Sequence, residues 1–150
     1  MEHLVKIKEN LDALDLGGGL PLGTGKEEVF KKLNKSEADL VNHVYLKLDN
    51  GFVYRISKGS KAISPDPEKE QITTIVANME PVTQEEIESV FGEEYDSLTI
   101  DKNVTLTYRY KKSDKKNLLL IFMGNQESDH FTSSSLQYEP IRENLDGQKK

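Results

Sequence analysis

The residues that could do chemistry in this 150-residue chain fall into a few clusters, and most of them fail a spacing test. Gly17–Lys26 (GGGLPLGTGK) has the glycine content and closing lysine of a phosphate-binding loop. Such a loop needs a Gly five residues before its Gly-Lys pair and a Ser or Thr after the Lys to hold the metal. Leu20 and Glu27 occupy those positions, and no glycine triplet fits Gly-x-Gly-x-x-Gly. The segment reads as a connector leading into a helix, and no cofactor is expected. His3, His43 and His130 lack metal-ligand spacing, and no Gly-x-Ser-x-Gly elbow supports a serine nucleophile. His43 is expected to open a strand, and His130 to sit in a polar loop beside Asp129. The chain has no Cys, so disulfides, thiolate metal sites and a Cys nucleophile are excluded. No catalytic residue and no metal ligand is assigned, and the chain is read as a non-enzyme.

Two charged clusters remain. Glu85, Glu86, Glu88, Glu93, Glu94 and Asp96 crowd one helix and the residues just beyond it. Negative charge in a first helical turn is favoured by the helix dipole, which gives part of this cluster a structural reading. Lys111, Lys112, Lys115 and Lys116 read as a solvated basic hairpin tip. Lys plus Arg total 20 against 26 Asp plus Glu, a net charge of −6 that argues against a nucleic-acid partner. The longest apolar run, Leu118–Met123, is far shorter than the roughly 20 residues of a membrane span.

The elements that must position these residues follow from periodicity. Leu4, Ile7, Leu11 and Leu14 recur at helical spacing, which predicts a helix over Glu2–Leu14 that the glycines stop. A second helix is expected at Lys26–Leu33. His43–Leu48 and Phe52–Ile56 flank Asn50-Gly51, the signal of a two-residue hairpin turn whose central residues both take positive φ. Ser57–Lys69 is a polar excursion, and Gln71–Ala77 reads as a strand. Thr83-Gln84-Glu85-Glu86 is a capping box opening a helix that Gly92 ends. Strands are then expected at Val104–Tyr110, Asn117–Met123 and Ser134–Tyr138, a turn at Lys111–Lys116, and a polar tail from Arg142.

A shift of 58 residues superimposes Lys26-Glu27-Glu28-Val29 on Gln84-Glu85-Glu86-Ile87. This predicts one α+β domain over residues 1–150: an N-terminal helix, then two α-β-β-β repeats forming one antiparallel sheet with helices on one face. Repeat one covers about residues 20–78 and repeat two about 79–141. Alternation puts Leu46, Tyr54, Ile56, Leu106 and Tyr108 inside. Tyr45, Lys47, Arg55, Thr105, Thr107 and Arg109 then lie on the opposite, open face. Tyr and Arg are enriched in interface hot spots, so these six residues are the candidate partner-binding set, and an ordinary solvated face is the alternative.

The segment Leu22-Gly23-Thr24-Gly25-Lys26-Glu27-Glu28-Val29 resembles the helix opening of tandem-repeat domains related to β-lactamase inhibitor protein. Within that group, Leu4 to Ile141 is most similar to an uncharacterised family of Bacillus-type secreted proteins and lipoproteins. The shared features are the leading helix, the Gly-Pro loop, the Gly-Phe-Val-Tyr-Arg-Ile hairpin, Ile75-Val76, and Ile87 with Phe91-Gly92. Gly25 departs from the group's Thr cap, and Asn34 stands where the first repeat has Gly. The resemblance implies no catalytic residue. It implies protein capture by the open sheet face and an extracytoplasmic Gram-positive location, secreted or held by a lipid anchor.

The start of the chain shows no basic and apolar leader, which fits either a cytoplasmic protein or the mature part of an exported one. The leading expectation is an extracytoplasmic protein-binding module of the cell envelope. Charge reversal at Arg55 and Arg109 should abolish capture of its protein partner without loss of fold. The alternative is a cytoplasmic inhibitor or immunity protein acting through the acidic segment Glu85–Asp96.

Overall fold

The computed structural model describes residues 2–59, 66–114 and 116–140. Helix α1 (Glu2–Asn10) buries Leu4 and Ile7, tightens into a 3₁₀ turn at Leu11–Ala13, and stops at Leu14 with φ 63°. The helix predicted to Leu14 therefore ends four residues early, where the chain turns to bury Leu16, Leu20 and Leu22 in the glycine-containing loop. Helix α2 (Lys26–Leu33) has the predicted bounds, buries Val29, and ends at Asn34 in the left-handed conformation that Asn tolerates. Helix α3 (Gln84–Phe91) opens on the expected capping box. The Thr83 hydroxyl accepts the Glu86 N–H at 3.1 Å, and the Glu86 carboxylate accepts the Thr83 N–H at 3.0 Å. No described helix is long and apolar enough to cross a membrane.

The strands are β1 (Tyr45–Lys47), β2 (Phe52–Lys58), β3 (Glu70–Val82), β4 (Asp96–Ile100), β5 (Asn103–Ser113), β6 (Lys116–Asn125) and β7 (His130–Pro140). They form one sheet in the order β1-β2-β3-β7-β6-β5-β4, with every neighbouring pair antiparallel. Residues Leu46, Tyr54, Ile75, Leu136, Leu120 and Tyr108 stand in register straight across it. All six are buried and share a core with Leu4, Ile7, Val29 and Ile87 of the helices. Full burial of each such aliphatic side chain contributes about 1.5–3 kcal/mol relative to exposure. The strand residues of that core all belong to one face of the sheet, so α+β layering follows directly, with a second face that no described helix covers.

Several local expectations are corrected. β1 begins at Tyr45, because His43 (φ 66°) lies in a turn, and His130 is the first residue of β7. The turn before β2 has positive φ only at Gly51 (92°). Gly51 N–H bonds the Leu48 carbonyl, and the Asn50 side chain accepts the Phe52 N–H at 3.1 Å. A side-chain cap plus one left-handed glycine thus replaces the two-residue mirror turn. β4 was not expected, since all five of its residues are exposed and nothing alternates between core and solvent. α3 is therefore followed by four strands, and α2 by three. Lys111 and Lys112 extend β5, narrowing the predicted turn. Pro65 of the polar excursion, Lys115 and the tail from Arg142 lie outside the described residues.

Candidate functional site

The open face is built of three rows in register. The first runs Tyr45, Arg55, Thr74, Gln137, Leu119, Arg109. The second runs Lys47, Val53, Val76, Ser135, Ile121, Thr107, Asp96, and the third Asn78, Ser133, Met123, Thr105, Leu98. All six candidate residues lie on this face, but in two groups. Tyr45, Lys47 and Arg55 form one end, and Thr105, Thr107 and Arg109 sit on β5, four strand spacings or roughly 19 Å from β2.

The candidate set missed the apolar residues of this face: Val53 and Val76 on β2 and β3, and, beyond Gln137, Ser135 and Ser133 of β7, a patch of Leu119, Ile121 and Met123 on β6. Its signal was the unbroken run Leu118–Met123, since a strand apolar at every position has both faces apolar. Leu119 is only 6% exposed although it stands apart from the helix-side core, so its neighbours on the open face cover it.

The two cationic positions differ in state. Arg109 Nη1 engages the Asp96 carboxylate, and its Nε donates to Glu139 at 3.2 Å. Glu139 also accepts from Asn117 Nδ2 at 3.5 Å. Arg109 thus stitches β4, β5 and β7 together. Arg55 and Lys47 have no carboxylate within ion-pair distance among the described residues, and both are exposed beside Tyr45.

The acidic segment divides similarly. Glu86 belongs to the α3 cap, where the Thr83 N–H holds its carboxyl below the usual range. Glu88 accepts the Tyr95 hydroxyl at 2.6 Å, raising the Tyr95 pKa, and Asp96 faces Arg109. Glu85, Glu93 and Glu94 are exposed with no side-chain partner among the described residues.

In the glycine loop, the buried Asp15 carboxylate accepts N–H groups from Leu16 and Gly19, each at 2.8 Å. Amides that a phosphate could use are consumed by the chain's own carboxylate. A Cβ on Gly18 would collide with the Tyr54 hydroxyl, so glycine is required for that approach. A hollow of about 720 Å³ opens beside Lys26, whose ammonium engages Glu37 and, at 3.4 Å, Glu70. His130 Nδ1 lies 2.6 Å from the Ser128 carbonyl. Among the described residues no three His, Asp or Glu side chains converge as metal ligands.

Comparison of this chain with protein families, with curated proteins and with solved structures finds no match.

Proposed function

We propose that this protein is a non-enzymatic binding module that captures a protein partner on the open face of its sheet. The observation that carries this reading is the apolar pair Val53 and Val76 on the open face, bordered by Tyr45 and by Lys47 and Arg55, which have no ion-pair partner among the described residues, with a second apolar patch at Leu119, Ile121 and Met123 beyond β7. Such a face offers apolar area for affinity and uncompensated positive charge for orientation, so the fitting partner presents carboxylates next to apolar side chains. An extracytoplasmic site at a Gram-positive envelope, with or without a lipid anchor, rests on the sequence resemblance to the secreted-protein family.

Two observations support reading the chain as two related units. α2 and α3 have equal length, and the 58-residue offset between them also carries β1 onto the start of β5. The same offset places Val41, which forms an isolated bridge to Tyr45, at the position of Thr99 in β4. The strand order then runs from edge to centre in each unit, with β3 meeting β7.

The test is affinity capture from lysate and cell-wall fractions, comparing the wild type with a Lys47→Glu, Arg55→Glu variant whose fold is checked by circular dichroism. A protein retained only by the wild type supports the open face. Equal retention by both overturns it. The second reading, a cytoplasmic inhibitor or immunity protein acting through the acidic segment, is favoured by Glu85, Glu93 and Glu94, which have no side-chain partner among the described residues. It predicts salt-sensitive capture that is lost when these three are changed to Gln.

A further inference from the structure

The two edges of the sheet are treated differently. At the β1 edge, Val41 bonds both backbone polar groups of Tyr45, N–H to carbonyl at 2.7 Å and carbonyl to N–H at 3.0 Å. At the β4 edge no described residue pairs with the outer side, and Asp96–Ile100 is exposed throughout. Leu98 and Ile100 are 57% and 59% exposed, and the strand carries no Lys or Pro of the kind that blunts free edges.

We propose that β4 pairs with β4 of a second copy of this chain, in antiparallel register about Leu98. Ile100 and Asn103 close the two-residue turn between β4 and β5 as a hydrogen-bonded pair. Alternation then turns the N–H and C=O groups of Ser97 and Thr99 outward. About a two-fold axis at Leu98, Ser97 bonds Thr99 of the second copy, and Leu98 faces Leu98. Asp96 stands opposite Ile100, and its charge is already answered by Arg109 in its own chain. No like charges oppose one another, and the same register brings Lys102, whose ammonium is ion-paired to Glu127 in its own chain, near Glu94 of the second copy. Self-complementarity of this kind is what an isologous interface requires. Leu98 and Ile100 lie on the open face, so pairing brings the exposed Leu98 of each copy together on that face. This inference is independent of partner capture on that face.

The chain lacks Cys, which makes single-cysteine variants an unambiguous readout. Leu98 residues facing each other as a non-hydrogen-bonded pair would stand about 4.5 Å apart at Cα, within disulfide reach. Ile100 is equally exposed but would lie far from its own counterpart. Under mild oxidation, Leu98→Cys should form covalent dimer at least about tenfold faster than Ile100→Cys. Equal rates for the two, which is collision chemistry, overturn the register. Sedimentation of the wild type up to about 1 mM, the range of interfaces below about 1,200 Å², should show a reversible dimer. A strict monomer overturns the pairing. Thr99→Pro removes an outward N–H and should raise the dimer dissociation constant at least about tenfold. An unchanged constant in the folded variant also overturns it, and if Thr99→Pro does not fold, the cysteine comparison decides.

Discussion

The carboxylate of Asp15 lies close enough to the phenol of Tyr54 to oppose its ionisation. Burial is the larger cause, and together they push the Tyr54 pKa up to about 12. The unfolded phenol ionises near pH 10, so rising pH favours the unfolded chain. Tyr54 thus contributes stability that is fully present below about pH 10 and is lost as the pH climbs through 12. Burial moves Tyr108 in the same direction. The unfolding free energy measured across this window should fall less steeply for Tyr54→Phe than for the wild type, with a difference on the order of 2 kcal/mol near pH 12. An identical slope would show that Tyr54 titrates freely in the folded protein.

Asp15 ties the loop together through two backbone amides. Removing its carboxylate with Asp15→Ala leaves the buried Leu16 amide, and the amide of the exposed Gly19, without their acceptor. The expected loss is about 1–3 kcal/mol, read by urea denaturation at neutral pH. A stability equal to wild type would mean that water substitutes fully for the carboxylate.

Ser134 stands between Ala77 and Phe122 on the covered face, wholly buried, and its hydroxyl has no hydrogen-bond partner among the described residues. Replacing it with Ala removes an unsatisfied polar atom at almost no change in volume. Ser134→Ala is therefore expected to stabilise the protein by about 1 kcal/mol, raising Tm. Destabilisation would reveal a partner for the hydroxyl.

Arg55 and Arg109 occupy the same row of the open face but should respond differently to the same substitution. Arg109→Glu places a third carboxylate between Asp96 and Glu139, so β4 should loosen and Tm should fall. Its ion pairs are exposed, which holds their direct contribution to about 1 kcal/mol or less, and repulsion adds to it. Arg55→Glu breaks no ion pair and should stay within about 0.5 kcal/mol of wild type. Parallel thermal melts separate the two, and amide exchange in β4 should speed up only in the Arg109 variant. A charge-reversal test of partner capture is therefore better placed at Lys47 and Arg55 than at Arg109.

These contrasts mark what was legible in the residues alone. α2, the Thr83–Glu86 box and the inward set from Leu46 to Tyr108 could be read because local propensity and burial agree there. The six candidate residues were placed on the correct face because alternation over β1, β2 and β5 is clean. The apolar centre of that face was obscured, since β6 is apolar on both sides and gives no alternation to read. β4 was hidden for the opposite reason, being exposed on both sides. Nothing local distinguishes Arg109 from Arg55, because the carboxylates that hold Arg109 come from Asp96 and from Glu139 on a strand 30 residues later in the chain. The Asp15 arrangement was invisible because a carboxylate folding back on its own loop has no fixed spacing.

The place of β7 in the sheet bears on how the chain acquires its shape. β7 is the last described strand to be synthesised, yet it occupies the middle of the sheet, between β3 and β6. Before it docks, β1–β3 and β4–β6 are two separate meanders, each ending in an unpaired apolar edge along β3 or β6. Ile75 must find Leu136 across an intervening stretch that contains α3 and three strands. Closing a pairing of such long separation is slow compared with hairpin formation. The growing chain therefore passes through a stage in which two half-sheets await their common central strand, and it is then that sticking to other chains competes most with folding.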